Sequence, residues 1–296
     1  MQPTETIRPK RQIPAVYHRR IGDAVVTSLS DGILVRTNDM MHGVSPETGK
    51  QHLDAAFRTE FALSINAFVV HIGGKLILVE TGSGSYFGDV AGHLLANLGA
   101  AGIAPEKIDT ILLTHMHPDH SAGLTELATG KLNFPNAELV VHENEPKHWF
   151  DDAAMARGTE REKKFMFQQA REQTTPYRSR TRLFKHGDVA PGITAIPAFG
   201  HTPGHTAFLI ESAGERLLIW GDTVHIPEVQ VPRPEVAMVV DTDPAGAVAS
   251  RKRMFDMAAS ERMLVTGMHL HFPGFGHIAR QGTGYAFVPE AWRQSL

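Results

Sequence analysis

Residues 109–113, Asp109-Thr110-Ile111-Leu112-Leu113, carry a short apolar run, and Thr114-His115-Met116-His117-Pro118-Asp119-His120 follows it directly. Three imidazoles and a carboxylate fall within six positions. A β-strand that ends in such a cluster delivers nitrogen and oxygen donors from one short loop, and those donors suit zinc or a similar divalent ion. The spacing His-x-His-x-Asp-His is too dense for one tetrahedral centre that is also fed from elsewhere. It reads as a loop shared by two adjacent metals, His115 and His117 on one, Asp119 and His120 on the other. With 17 histidines in 296 residues, an isolated His-x-His would mean little. Four donors in this order after a strand mean more, because a charged, histidine-rich loop has no packing rationale and buried polar groups need partners.

The chain has no cysteine. Disulfide scaffolds, thiolate zinc sites, iron–sulfur clusters and cysteine nucleophiles are excluded together. Every metal ligand must then be histidine or carboxylate, which favours an open catalytic site over a closed structural one. A formal net charge of −3 provides no basic surface for a polyanion, so nucleic acid is not an expected substrate. No apolar stretch approaches the roughly 18 residues of a membrane span. Residues 1–11 are positively charged but lack an apolar segment behind them, unlike a secretory signal. The expectation is a cytoplasmic protein.

Alternating apolar segments predict strands at 24–29, 66–72 and 75–80, with Gly73-Gly74 as a hairpin turn. Thr81-Gly82-Ser83-Gly84-Ser85 lacks the Lys-Ser/Thr of a phosphate loop and is read as a tight turn beneath the metal loop. Helical spacing marks 89–101, ending at Gly102, while Leu124 and Leu127 indicate a short helix. Further strands are expected at 137–142, 193–196, 206–210, 216–220 and 263–266. A helix over 244–260 has Pro244 in its first turn and Asp241 or Asp243 before it. Residues 143–180 interleave polar residues with Trp149, Phe150, Phe165, Phe167 and Tyr177, and read as a helical insertion. Two strand series, each followed by helices, predict an α/β fold: an αββα sandwich of two mixed sheets flanked by helices. No linker divides the chain. The expected organisation is an extended arm at 1–20 and one domain over 21–296, with a homodimer as a candidate assembly.

Further ligands should lie at other strand ends. His201 sits in Gly200-His201-Thr202-Pro203-Gly204-His205-Thr206, a tight loop able to aim one imidazole inward, with His205 supporting the loop by hydrogen bonding. Asp222 follows the strand ending at Trp220-Gly221, and its two oxygens could bridge two cations roughly 3.5–4 Å apart. The last ligand is His269 or His271; His269 comes sooner after the final strand and Gly267.

Taken together, His115-x-His117-x-Asp119-His120, His201, Asp222 and His269 resemble the metallo-β-lactamase-fold superfamily. The segments 200–206, 220–225 and 267–277, with Pro232-Arg233-Pro234-Glu235 and Asp241-Thr242-Asp243-Pro244, are similar to its methyl parathion hydrolase-like branch. The likeness runs from about residue 21 to 289. It implies one metal on His115, His117 and His201, another on Asp119, His120 and His269, and Asp222 bridging. It also favours His269 over His271. Two divalent ions are implied, Zn2+ first, with Mn2+, Co2+ or Fe2+ as alternatives. Glu80 stands where the family commonly has Asp, and the leader of secreted members is not seen. Neighbouring branches fit less well. True β-lactamases of this fold lack the bridging Asp, flavodiiron proteins replace the second histidine of the motif by Glu, and glyoxalase II adds a C-terminal helical domain.

The expected activity is hydrolysis of a lactone, aryl ester or phosphotriester by a metal-bound hydroxide, on a small, uncharged or weakly charged substrate with an apolar body. Asp222 would hold the metals together, and Asp119 could also take part in proton transfer. Trp149, Phe150, Phe167, His225 and Phe272 are the candidate pocket residues, with the other aromatics at 165–177 and Phe275 as further apolar wall. A thioester hydrolase and a mononuclear iron persulfide dioxygenase on the same fold are the alternatives.

Overall fold

The computed structural model describes residues 12–296. Strands are numbered in chain order: β1 Val16–Ile21, β2 Ala24–Arg36, β3 Met41–His42, β4 Phe61–Ile72, β5 Lys75–Val79, β6 Thr110–Leu112, β7 Glu138–His142 and β8 Thr181–Phe184. The second half adds β9 Gly187–Ala190, β10 Ile193–Pro197, β11 Thr206–Ser212, β12 Glu215–Ile219, β13 Ala237–Met238, β14 Leu264–Thr266, β15 Gly276–Gln281 and β16 Gly284–Pro289. One seven-stranded sheet has the order β1-β2-β4-β5-β6-β7-β8, and the other β16-β15-β14-β12-β11-β10-β9. A small two-stranded sheet pairs β3 with β13. Both large sheets are mixed: β5, β6, β7 and β8 run parallel, as do β12 and β14, and the remaining pairs are antiparallel.

The period-2 alternation of strands explains the layering. In β5, Ile77 and Val79 point toward the second sheet, and Leu78 points to the opposite face. Phe68, Val140, Phe208, Ile210 and Ile219 fill the space between the sheets. On the outer face of the first sheet, Leu94, Leu98, Trp149, Phe167 and Tyr177 pack over Val69, Leu78, Ile111 and Leu139. On the outer face of the second, Met254, Phe255 and Ala258 of helix Pro244–Ser260 cover Leu218, Trp220 and Val265. The strands buried on both faces therefore read as continuous apolar runs. The arrangement is the expected αββα sandwich.

Several local expectations change. No helix forms at Leu124 and Leu127: Leu124 is buried in the core, Leu127 is half exposed, and Thr125 bridges to Leu132. The helix placed over 89–101 is confined to Leu94–Ala100, because Gly92 at φ 88° breaks the chain before it. Asp243, not Asp241, caps helix Pro244–Ser260 by accepting from the Gly246 N–H. The β15–β16 hairpin continues beyond the last expected strand. Of the predicted arm, residues 1–11 lie outside the described residues, and β1 pairs along β2 from Val16↔Leu29 to Ile21↔Ala24. The stretch 143–180 is helical, as expected, with helices Asn144–Trp149, Asp152–Arg157, Glu160–Glu162 and Gln169–Thr174. Among the described residues no helix is long and apolar enough to cross a membrane.

The contact between the sheets yields a stability prediction. Phe68 is fully buried and meets Phe275 edge-on at 6.2 Å. Phe68→Ala should lower unfolding free energy by about 3–5 kcal/mol, read by urea denaturation.

Candidate metal centre

The loops that follow β6, β10, β12 and β14 meet at one edge of the sandwich. After β6 the chain bends at Thr114, is extended at His117 and then turns into the short helix Pro118–Ser121. The glycine-rich turn lies beneath this loop, as its sequence implied. Thr81 N–H and Oγ1 both donate to the His120 carbonyl at 2.8 Å, and Gly123 N–H donates to the Gly82 carbonyl. A side chain at Gly123 would collide with the Thr81 carbonyl, its Cβ falling 1.8 Å away. Asp222 sits in the single turn Gly221–Thr223 after β12. Gly221 is at φ 58°, and its backbone passes so close to His205 that a Cβ there would lie 2.3 Å from Nε2. His205 Nδ1 donates to the Ala198 carbonyl, and its Nε2 accepts the Asp222 N–H at 2.9 Å. The supporting role read for His205 is thus what the geometry displays.

The seven expected ligands converge. His115, His117, His201 and Asp222 each offer an atom within 4.8 Å of the others, as do Asp119, His120 and His269. His201 Nε2 lies 3.2 Å from His115 Nε2 and 3.0 Å from His117 Nδ1. One Asp222 oxygen is 3.2 Å from His120 Nε2. The other is 3.2 Å from His201 Nε2, 3.2 Å from His269 Nε2 and 3.7 Å from His115 Nε2. His271 is directed elsewhere, onto Glu228 at 2.5 Å.

A cation fits this donor set. His201 commits its Nδ1–H to Asp241 at 2.8 Å, and His269 commits its own to the Ser64 carbonyl at 2.7 Å. Their Nε2 atoms therefore face the cluster, each able to exchange the proton that nearby carboxylates favour there for a cation. Nitrogens 3.0–3.2 Å apart are close to the roughly 3.3 Å separation of two ligands on one tetrahedral cation with 2.0–2.1 Å bonds. His120 Nε2 and one Asp222 oxygen are buried without a hydrogen-bond partner among the described residues. Burial alone would raise the Asp222 carboxyl, but the imidazoles of His120, His269, His225 and His115 outweigh it and hold it well below the usual range. Burial likewise holds His115 and His117 well below the ordinary imidazole value, the neutral state that coordination requires.

A model of the metallo-beta-lactamase superfamily matches residues 61–265. The chain belongs to this superfamily. Its structure is similar to that of the hydrolase AbOPH of the beta lactamase superfamily, with a TM-score of 0.91 and 34% identity over 96% of this chain and 100% of that one. It is also similar to AidC, a dizinc quorum-quenching lactonase solved with the product N-hexanoyl-L-homoserine. There the TM-score is 0.88, with 27% identity over 95% and 99% of the two chains. An atrochrysone carboxyl ACP thioesterase from Passalora fulva is 27% identical over 160 residues, 54% of this chain but 38% of the relative. The matched region therefore spans well under two thirds of that relative's length.

Three supporting carboxylates surround the superfamily's metal loop here. Glu80 accepts the Thr114 N–H at 2.8 Å and sets its other oxygen 3.3 Å from His120 Nδ1, so the longer side chain still reaches the loop. Asp241, read from sequence only as a helix cap, orients His201 instead. Glu145 went unnoticed. Buried at the start of the insertion, it accepts from Met116 N–H, Gly204 N–H, Thr202 Oγ1 and Trp149 Nε1 at 2.5–2.9 Å. One carboxylate thus ties the His115–His117 loop to the His201 loop. No local pattern in the sequence marks it, because its partners lie on distant loops.

The ligand cluster opens onto a cavity of about 210 Å³ that includes His117, Asp119, His201, Asp222, His225 and His269. His225 is placed as expected, its Nε2 3.1 Å from Asp222 and its ring stacked on His269. The aromatic wall matches expectation only at Phe165. Tyr86 and Phe87 complete it, with Met40, Leu63, Met166 and Met238. Trp149 and Phe167 are core residues that line only an adjoining cavity, because Trp149 is held against His117 by its bond to Glu145. Phe150 turns away, under Arg171, and lines a separate cavity. Phe272 is half-buried outside both cavities at the centre, and Phe275 packs between the sheets. Tyr177 is likewise core, its hydroxyl donating to the Leu124 carbonyl.

Two outcomes are expected. Glu145→Gln puts an N–H among four donors, and should weaken cation affinity roughly 10–100-fold in competition with a chromophoric chelator. The second concerns pH in metal-stripped protein. Burial lowers His205 to about 3 and His225 to about 4, against an unfolded value of about 6.5. The unfolded chain then binds more protons in that interval, so stability falls as pH drops from about 6.5 toward 4. His201 acts oppositely: burial opposes its charge, but Asp222 and Asp241 raise it to about 9. Its contribution is complete below about pH 6.5 and is lost as pH rises through about 9. Tm of chelator-treated protein should decline on both sides of neutrality, as thermal melts will show.

Proposed function

We propose that this protein is a dinuclear metal-dependent hydrolase of small-molecule ester bonds, with lactones and aryl esters as its first substrates and phosphotriesters as a further class. One cation would be held by His115, His117 and His201, the other by Asp119, His120 and His269, with Asp222 between them. The observation that carries this reading is the position of Asp222 between the two groups, one oxygen facing His120 and the other facing His201, His269 and His115. Zn2+ suits the histidine-rich, thiolate-free donor set. When bound, such a pair supplies Lewis acidity that polarises a carbonyl or phosphoryl oxygen and lowers the pKa of water.

The chain's own residues do the positioning. Asp241 and the Ser64 carbonyl fix the tautomers of His201 and His269, so that neither ring can rotate its lone pair away. His225 faces the cavity with Nε2 in reach of a substrate oxygen beside Asp222. Asp119, partly open to solvent, is placed to hold a proton on its way to the leaving oxygen. The walls of Phe87, Phe165 and Met238 hold an apolar acyl or aryl body and exclude bulk water.

Similarity to the AidC lactonase along nearly the whole of both chains supports the lactone class. Partial similarity to an acyl carrier protein thioesterase supports thioester hydrolysis as a second reading, since the same centre would attack either carbonyl. The test is a panel of lactones, aryl esters, thioesters and phosphotriesters, run on protein of measured metal content. Chelation should abolish turnover and added zinc restore it. Asp222→Ala should lose both hydrolysis and at least one cation per chain, while His271→Ala keeps its metal. Full turnover by Asp222→Ala would overturn the bridging assignment.

A further inference from the structure

Two guanidinium groups, Arg36 and Arg161, line the cleft over the metal centre, and the carboxylate that acts on Arg36 there is Asp119, beyond ion-pair distance. Arg36, the last residue of β2, is half-buried with its Cζ 5.8 Å from the Phe87 ring centroid. Arg161, on the exposed turn Glu160–Glu162, lines the same cavity from the insertion. Neither has a carboxylate oxygen within 4.0 Å among the described residues. Arg157 of the adjoining cavity and several surface arginines also form no ion pair among the described residues, so what singles out Arg36 and Arg161 is their position over the ligands.

The shape of the cleft gives these groups a use. The cavity at the ligands is small, about 210 Å³, and it adjoins a second of about 550 Å³. Both are lined by Met40, His117, Arg161 and Met166, so Arg161 stands where they meet. A substrate with its ester bond at the ligands has to extend past Arg161 or toward Arg36. Guanidinium presents a planar fork of donors that matches carboxylate and phosphate oxygens in pairs. Two divalent cations, if seated, would offset Asp119, Asp222 and Asp241, leaving Arg36 and Arg161 as charges able to meet an anion, with Glu162 an acid of the adjoining cavity. A concave, positively lined cleft draws anions in.

We infer that the substrates carry a second, anionic oxygen group, a carboxylate or a phosphonate or phosphate, which Arg36 and Arg161 hold away from the bond that breaks. This rests on the hydrolase reading above and narrows it, replacing the uncharged or weakly charged ester expected from sequence. The reaction itself is unchanged: water adds across the ester, the acyl carbon–oxygen bond breaks, and an acid and an alcohol leave. The anionic group serves for grip alone.

The test compares three 4-nitrophenyl esters of matched length on zinc-loaded protein: a neutral pentanoate, a monoglutarate and a 4-phosphonobutanoate. One charged ester should exceed the neutral one in kcat/KM by about tenfold or more, and which one leads identifies the anionic group. That charged-to-neutral ratio should fall by about tenfold in Arg36→Met and in Arg161→Met, and be partly kept by Arg36→Lys. Because Arg161 is exposed, its substitution decides the matter even if Arg36→Met does not fold. Hydrolysis of the neutral ester with a ratio near one overturns this inference and leaves the hydrolase reading standing. A preference that persists unchanged in both variants overturns it too, since the cations alone would then select charge. Failure to hydrolyse any of the three, together with failure on the lactones, thioesters and phosphotriesters of the panel above, overturns the hydrolase reading itself.

Discussion

Imidazole lone pairs brought face to face inside a protein are the constraint around which the remainder of this molecule is arranged. His115, His117 and His201 aim ring nitrogens at one another across 3.0–3.2 Å, with the second nitrogen of His201 already spent on Asp241. Such an approach needs a proton or a metal cation between the nitrogens, and in metal-free protein the proton that Asp222 and Asp241 hold on His201 supplies it. It persists because each ring is held from behind, by a carboxylate, a backbone carbonyl or a packed neighbour. The cost of this preorganisation is visible in unusual backbone: Glu80, a non-glycine, lies at φ 69°, and Gly200 lies at φ 127° against the backbone of Ala247. Strain of this kind gathers where the surrounding structure over-determines it.

The sandwich distributes the task between its layers. The first sheet contributes one dense loop, His115 to His120, at the end of a three-residue parallel strand. The second contributes single residues, His201, Asp222 and His269, each after a different strand. Cross-links then join the layers away from any cation. His269 donates to Ser64 in β4, Thr206 N–H donates to the Thr114 carbonyl, and Glu145 clasps the loops on either side. Parallel pairing at β5–β6–β7 and at β12–β14 puts these strand ends on the same edge.

Much of this was legible in the amino-acid sequence, and the reason is local. The ligand loop is contiguous, strands buried on both faces appear as apolar runs, and glycines at 200, 221 and 267 mark the tight turns that bring single ligands inward. What escaped notice depends on distance. Glu145 acts on loops 29 and 59 residues away, and nothing near it announces that role. Asp241 looked like a cap because two acids precede Pro244 and either could have served. The pocket wall was only partly foreseen for a related reason. An aromatic in an amphipathic insertion fits the core and the cleft equally well by periodicity, and only packing separates Phe165 from Phe167. The helix read at Leu124 and Leu127 failed because two apolar residues three apart are too few to define a period.

The separation of ligands from walls has a bearing on how such a molecule changes over time. Donors come from loops clamped at several points, where a single replacement disturbs many partners. The surfaces that meet a substrate come from elsewhere: the end of β2, the β3–β13 ribbon and the turn at 160–166. Those segments touch the centre and bear little of it, Met238 excepted, whose N–H donates to the Asp241 carboxylate behind His201. Selectivity can therefore drift by exchange of a few peripheral side chains while the reactive core stays intact, which leaves one scaffold free to serve many leaving groups.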